Sequence, residues 1–406
     1  MTLQKRRLLL VFFSFLFVIC GFLALGYSQG YRITLDPLDI TTTGALYLES
    51  PQRNLSIYLD QKRYSDQSGI LKKGTLIDGL VPDTYTLTIE KELYHPYQKS
   101  FTILPSQVTR SMNILLVPHD ITAQAEKIYT VPESYTLLDI QNTSRILQKN
   151  NDTDAWILAS SDPLSPETNI SSQIQSLTRK EFSSISFSPQ QEPYVILNND
   201  TDVSFLFSAQ QRLTTHIHAS STPTFYPSFI GVEHASSTDL YTYQSTEPTT
   251  LPFINITSVY KKDNTFLIHH DGILEAYTPE ITTHIATTTY ALLGPDTKKI
   301  LIHNDNGYQL YFLEQDLEAL DVREKEMLPL NLPDNITKVW WYDPYHLILS
   351  TKEGVYFTEI SHHDPLVSYL LVDKPFDTVF YNQQQKSLFY TKGSDIFLLD
   401  LTVITP

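Results

Sequence analysis

The sequence predicts an all-β protein hung from one N-terminal helix, and three observations carry that prediction. A 19-residue uncharged run, Leu8 to Gly26, follows directly on Lys5, Arg6 and Arg7. Downstream of it, apolar and polar residues alternate in short runs broken by Pro, Asn, Asp and Gly, with no sustained helical period. One strand-turn-strand unit then recurs throughout 121–406, and repetition on that scale marks stacked or ring architectures. The predicted order is a cytoplasmic tail at 1–7, a transmembrane helix at 8–26, a small β-sandwich at 32–118 and a β-propeller of about seven blades at 121–406.

At 1.5 Å per residue, a 19-residue helix covers roughly 28 Å, close to the ~30 Å hydrocarbon core of a bilayer. No acidic residue occurs before Asp36. The positive-inside rule therefore keeps the first seven residues in the cytoplasm and sends the rest across. The competing reading is a cleaved signal peptide, since Ala24-Leu25-Gly26 places small residues at the −3 and −1 positions. The run is longer than the 7–15 residues of a signal h-region, which favours an uncleaved anchor. A lipoprotein site is excluded because bulky Ile19 precedes Cys20.

Composition sets further bounds. Of 406 residues, 29 are Lys or Arg and 45 are Asp or Glu, a net charge of −16. With three of the basic residues in the tail, 26 basic residues face 45 acidic ones beyond the helix, a net of −19. Nucleic acid is not an expected partner, because phosphate binding needs a concentrated basic face. Aromatics at 12% give too much packing surface for a disordered chain. A lone Cys20 rules out an intrachain disulfide and a cysteine-ligated zinc site.

Within 32–118, residues 45–50, 55–60, 85–90, 100–104 and 111–117 read as half-buried strands. Ser50-Pro51, Asp66-Gln67-Ser68-Gly69 and Pro82-Asp83 supply the turns between them. Four stretches here resemble the PEGA domain: Glu49-Ser50-Pro51, Ile57-Tyr58-Leu59-Asp60, Leu80-Val81-Pro82-Asp83-Thr84-Tyr85 and Leu93-Tyr94. The chain departs from that pattern where Asp83 and Leu93 replace two glycines and where the naming quartet reads Pro51-Gln52-Arg53-Asn54. The resemblance, over Gly44 to about Leu104, implies an extracytoplasmic, surface-associated accessory module without catalytic activity.

The repeat is clearest in Asn-Asn-Asp-Thr-Asp, present at 150–154 and again at 198–202, each time between apolar runs. Related hairpins centre near 236, 271, 305, 352 and 393, at separations of 34 to 48 residues. That spacing fits a four-stranded blade of ~40–45 residues. Seven copies give seven blades, with six or eight open because the copy near 236 is faint. Several copies carry an upstream strand and turn, as in Leu293-Gly294-Pro295-Asp296 and Tyr342-Asp343-Pro344. The pattern resembles the loose propellers of the TolB and YncE type.

Four features bear on chemistry. His269-His270 and His362-His363, each followed by Asp, invite a metal reading; but strand neighbours point to opposite faces, which favours a hairpin role for them and for His303. Asp152, Asp154, Asp200 and Asp202 are oxygen donors of the kind calcium takes, although Asn and Asp also cap tight turns. Trp340-Trp341-Tyr342 reads either as a ligand platform or, by alternation, as core. Seven Asn-x-Ser/Thr sequons occur, at Asn54, Asn142, Asn151, Asn169, Asn199, Asn255 and Asn335. No nucleophile elbow, P-loop, His-Glu-x-x-His or dinucleotide fingerprint is present.

The functional expectation is a membrane-anchored, extracytoplasmic binding or scaffold protein of a bacterial cell envelope. Its propeller would present a surface to another envelope protein or a surface glycan. No catalytic, cofactor-binding or metal residues are assigned, and no cofactor is expected. The alternative is an envelope propeller enzyme acting on glycans as hydrolase or lyase, with carboxylates or histidines about 5–10 Å apart at the funnel mouth.

Overall fold

The computed structural model describes residues 3–405, apart from 29, 36–37, 70–72, 144, 163, 166, 173–183, 188–193, 199–201, 208–211, 219–223, 227, 243–246, 318, 362 and 364. The chain is mainly β, built from antiparallel sheets of mostly four strands. Helix α1 spans Leu3–Ser28. Its described side chains between Leu10 and Phe22 are turned outward all round, with Phe17 at 79% and Phe22 at 73% exposed. The side chains of Leu8, Leu9 and Leu23 lie outside the described set. Among the described residues, no helix is long and apolar enough to cross a membrane. A hairpin follows, pairing Tyr31–Leu35 with Leu38–Thr42.

The small β unit packs two sheets face to face. One holds Gly74–Leu80, Gly44–Glu49 and Val108–Ser111, the last two parallel. The other holds Lys62–Ser65, Ser56–Leu59, Thr84–Glu90 and Tyr97–Thr102. Alternation aims Leu46, Leu48, Ile57, Leu59, Leu87 and Ile89 into a shared core. The strand expected at 111–117 is corrected: the observed strand is Val108–Ser111 and the residues after it run as coil. Its apolar alternation has another cause. Ile114 and Leu116 enter the core of the small unit, while Leu115 and Val117 enter a separate core formed by sheets further along the chain.

Seven four-stranded sheets follow, here called I to VII. Sheets I to VI are meanders over 135–169, 184–218, 224–251, 256–287, 290–330 and 336–373. Sheet VII takes three strands from 379–400 and its fourth, Glu126–Thr130, from the start of the region, before sheet I. The turns expected near 151, 236, 271, 305, 352 and 393 each join the second and third strands of a sheet. The turn near 199 joins Tyr194–Asn198 to Asp202–Phe207, and residues 199–201 lie outside the described set.

Where their side chains are described, second strands sit inside their sheets and are mostly covered on both faces, so they read as continuous apolar runs. Ile300, Leu301, Ile302, Leu347 and Ile348 are all fully buried. Apolar clusters bridge consecutive sheets: III to IV, IV to V, V to VI and VI to VII. One further cluster joins sheet VII to sheet I, through Phe389 and Ile396 against Ile140 and Ile146.

Candidate functional site

The most elaborate polar construction among the described residues is the seam where the small β unit meets sheets V to VII. Gln52 holds one end of it. Its side chain is buried; Oε1 accepts the Leu116 N–H at 2.9 Å, and Nε2 donates to the carbonyls of Leu116 (2.8 Å) and Ile404 (3.0 Å). One side chain therefore ties the small unit, the linking segment and the C-terminal turn. Backbone in coil needs such partners when it is buried, because each unpaired group costs about as much as a lost hydrogen bond.

Further along the seam, Lys99 forms an ion pair with Glu359, on the third strand of sheet VI. Lys99 is 1% exposed. The Glu359 carboxylate also accepts the Tyr97 hydroxyl at 3.1 Å and the Val367 N–H at 3.2 Å, so the buried charge is paired and hydrogen-bonded. Burial, and then the neighbouring Glu359 carboxylate, push the Tyr97 hydroxyl well above its ordinary pKa. Rings complete the seam: His95 lies 4.4 Å from His119 and 5.8 Å from Tyr369, and Phe101 lies 4.9 Å from His363.

Two carboxylate-anchored pairs stand behind it, Asp296 with Lys299 and Asp343 with His346. Lys299, fully buried, reaches Asp296 at 2.6 Å and sits 4.6 Å from the centre of the Tyr345 ring. His346 Nδ1 contacts both Asp343 oxygens at 2.9 Å, with its ring stacked 4.9 Å from Phe357. Burial pushes the Asp343 carboxyl up, but His346 and the Tyr345 N–H outweigh it and hold the group below the usual range. Each pair spans three residues at the turn between the first two strands of its sheet. The sequence carries this signal in Pro295-Asp296 and Asp343-Pro344, but nothing in it marks Lys299 and His346 as the partners three residues on.

A shallow crevice opens over this seam, lined by Arg110, Asn113, Ser361 and His363 above Tyr97 and Glu359. Its buried cations are already saturated by carboxylates. The arrangement suits a rigid joint between two β units better than proton transfer to a bound substrate.

The residues singled out in the sequence divide as follows. His269 is buried; Nδ1 meets the Thr257 hydroxyl at 2.6 Å and Nε2 the Thr288 carbonyl at 2.8 Å. His270 turns the other way, to Glu275 at 3.2 Å. His303 meets the Thr289 hydroxyl at 3.1 Å, repeating the His269 arrangement one sheet later. His362 lies outside the described set, and His363 lies in the seam. Asp152 and Asp154 belong to a turn in which Asn150 Oδ1 accepts the N–H groups of Asp152 and Thr153, and Asp154 pairs with Lys149 at 2.6 Å. Asp200 is outside the described set, as is the side chain of Asp202. Among the described residues, no group of three or more His, Cys, Asp or Glu is placed to hold a metal ion.

Trp341 and Tyr342 are both core residues and Trp340 is half-buried, in keeping with the alternation and with core rather than a ligand platform. Trp341 packs in the cluster shared with sheet V, while Tyr342 and half-buried Trp340 pack in the one shared with sheet VII, so neighbours face opposite cores. Two sequons have structural work. In Asn255-Ile256-Thr257 and Asn335-Ile336-Thr337, each Thr hydroxyl donates at 3.0 Å to the carbonyl closing the second strand, from His269 and Ser350. No family model matches the chain, and no curated protein matches it.

Proposed function

We propose that the chain is a membrane-anchored scaffold whose seven sheets close into a β-propeller, presenting a protein- or glycan-binding surface outside the cytoplasm. The observation that carries this reading is sheet VII, assembled from strands at both ends of the repeat region. A ring needs such a strand to close it, whereas an open row of sheets does not. Sheets VII and I also share an apolar cluster, and Asn382 Nδ2 donates to the Gln141 carbonyl between them at 2.6 Å. Burial pushes the Asp139 carboxyl of sheet I up, and Lys338 of sheet VI opposes that push. Those two sheets flank sheet VII, so the influence of one on the other favours first strands converging on a common axis.

The 19-residue uncharged run lies within α1 and is the basis of the anchor reading, and its flanking charges favour an orientation with the sheets outside. The PEGA-like reading of the small unit gains support at Leu93, which takes φ 69° where the family pattern has glycine. The test is protease added to intact cells, followed by crosslinking and capture from the membranes. The proposal expects degradation beyond Tyr31 and a specific envelope partner or glycan among the captured species. Full protection contradicts it.

A further inference from the structure

We infer that one end of the small β unit rests in the lipid headgroup region, with Val81, Leu104 and Val108 as its contact residues. The inference builds on the reading of α1 as a bilayer anchor.

Hydrogen bonds fix where that end lies. Gly30, two residues beyond the end of α1, accepts both the Thr43 N–H at 2.8 Å and the Thr43 hydroxyl at 2.9 Å. The Thr43 carbonyl accepts the Ser106 N–H at 3.1 Å, and Ala45 N–H donates to the Gln107 carbonyl at 2.9 Å. Three backbones thus run side by side, and at ~4.8 Å per step the 104–107 loop comes within about 10 Å of Gly30, just beyond the helix. The join is tight: a Cβ on Gly44 would collide with the Leu104 carbonyl and the Ile103 side chain. Gly44 also pairs with Leu80, and Ile103 N–H donates to the Asp83 carbonyl at 2.8 Å, which brings the 81–83 turn to the same end.

Apolar side chains are spent unusually here. Apart from Leu76, 44% exposed further along Gly74–Leu80, the unit's aliphatic strand residues are largely buried, yet Val81 is 40%, Leu104 47% and Val108 50% exposed. Of the acids at this end, Asp83 and Asp60 have their carboxylates turned to the Thr84 and Thr86 N–H groups, each at 2.8 Å, while Asp78 is exposed. A bilayer is ~30 Å thick in hydrocarbon and ~40–45 Å with its headgroups, leaving about 5–8 Å of interface on each side. A loop held beside the chain where it leaves the helix borders that layer, where apolar side chains find cover. Leu93 provides a contrast: it is 73% exposed but follows the far end of Thr84–Glu90, about 23 Å away along the strand.

The lone Cys20 makes the test direct. In a Cys20→Ala chain, Leu104→Cys, Val108→Cys and Leu93→Cys are each labelled with an environment-sensitive fluorophore. Each labelled chain is reconstituted into phosphatidylcholine vesicles carrying a nitroxide near the headgroup. The inference expects blue-shifted, nitroxide-quenched emission at 104 and 108, and water-like, unquenched emission at 93. Protein that floats with the vesicles while 104 and 108 behave like 93 overturns the inference and leaves the anchor standing. Protein that does not float contradicts the anchor, and the inference falls with it.

Discussion

Leu93 and Thr297 hold left-handed backbone, at φ 69° and 57°, although neither residue type favours it. Both side chains are exposed, so little packing is at stake. Leu93→Gly and Thr297→Gly are each expected to raise stability by about 1 kcal/mol, read as a higher denaturation midpoint in a chain starting at Gly30. Gln52→Ala is expected to go the other way, by about 3 kcal/mol in the same assay, because it strands one N–H and two carbonyls in the buried seam. The sequence made Asn and Asp legible as substitutes for glycine. Asp154, Asn255, Asp263 and Asp271 all take positive φ, as their short side chains permit. It could not reveal Gln52, since nothing in a residue's type says that its amide will find a segment 64 residues away.

At the level of elements, hairpins were legible and joints were not. A hairpin writes its turn and its alternation into a dozen neighbouring residues, and six of the seven turns fall where those residues place them, the one near 199 lying outside the described residues. The strand Glu126–Thr130 has no local partner and pairs with Asp395–Asp400, so no local pattern announced it. The linking segment misled for a related reason: alternation between two cores looks the same as alternation across a sheet. The Lys99–Glu359 joint likewise depends on residues 260 apart in sequence. Lys99→Met leaves Glu359 without its cation in a largely buried seam and is expected to cost about 3–5 kcal/mol, with faster proteolysis near 119–125. The double variant Lys99→Met/Glu359→Gln is expected to recover most of that loss, because replacing both charges removes the stranded one. Equal stability of the single variant and the parent chain would show that the joint carries no energy.

For the whole molecule, the tyrosines set an alkaline limit. Burial pushes Tyr226 and Tyr342 up to about 12, in each case ahead of nearby acidic side chains. Burial raises Tyr97, Tyr260 and Tyr369 as well. A folded pKa above the unfolded value near 10 means stability that is complete below pH 10 and lost as pH rises through the folded value. Each such tyrosine removes about 1.4 kcal/mol per pH unit in that window, so cooperative unfolding is expected between pH 10 and 12. Circular dichroism against pH checks this, and Tyr342→Phe, which also removes the hydroxyl's bond to the Leu401 carbonyl, should make the alkaline slope shallower. The architecture itself is tested most directly by an electron cryo-microscopy map of the full chain in a lipid nanodisc. The account predicts seven sheets closed in a ring by Glu126–Thr130, with the small β unit between ring and disc. An open row of sheets, or a chain with no density inside the disc, would contradict it.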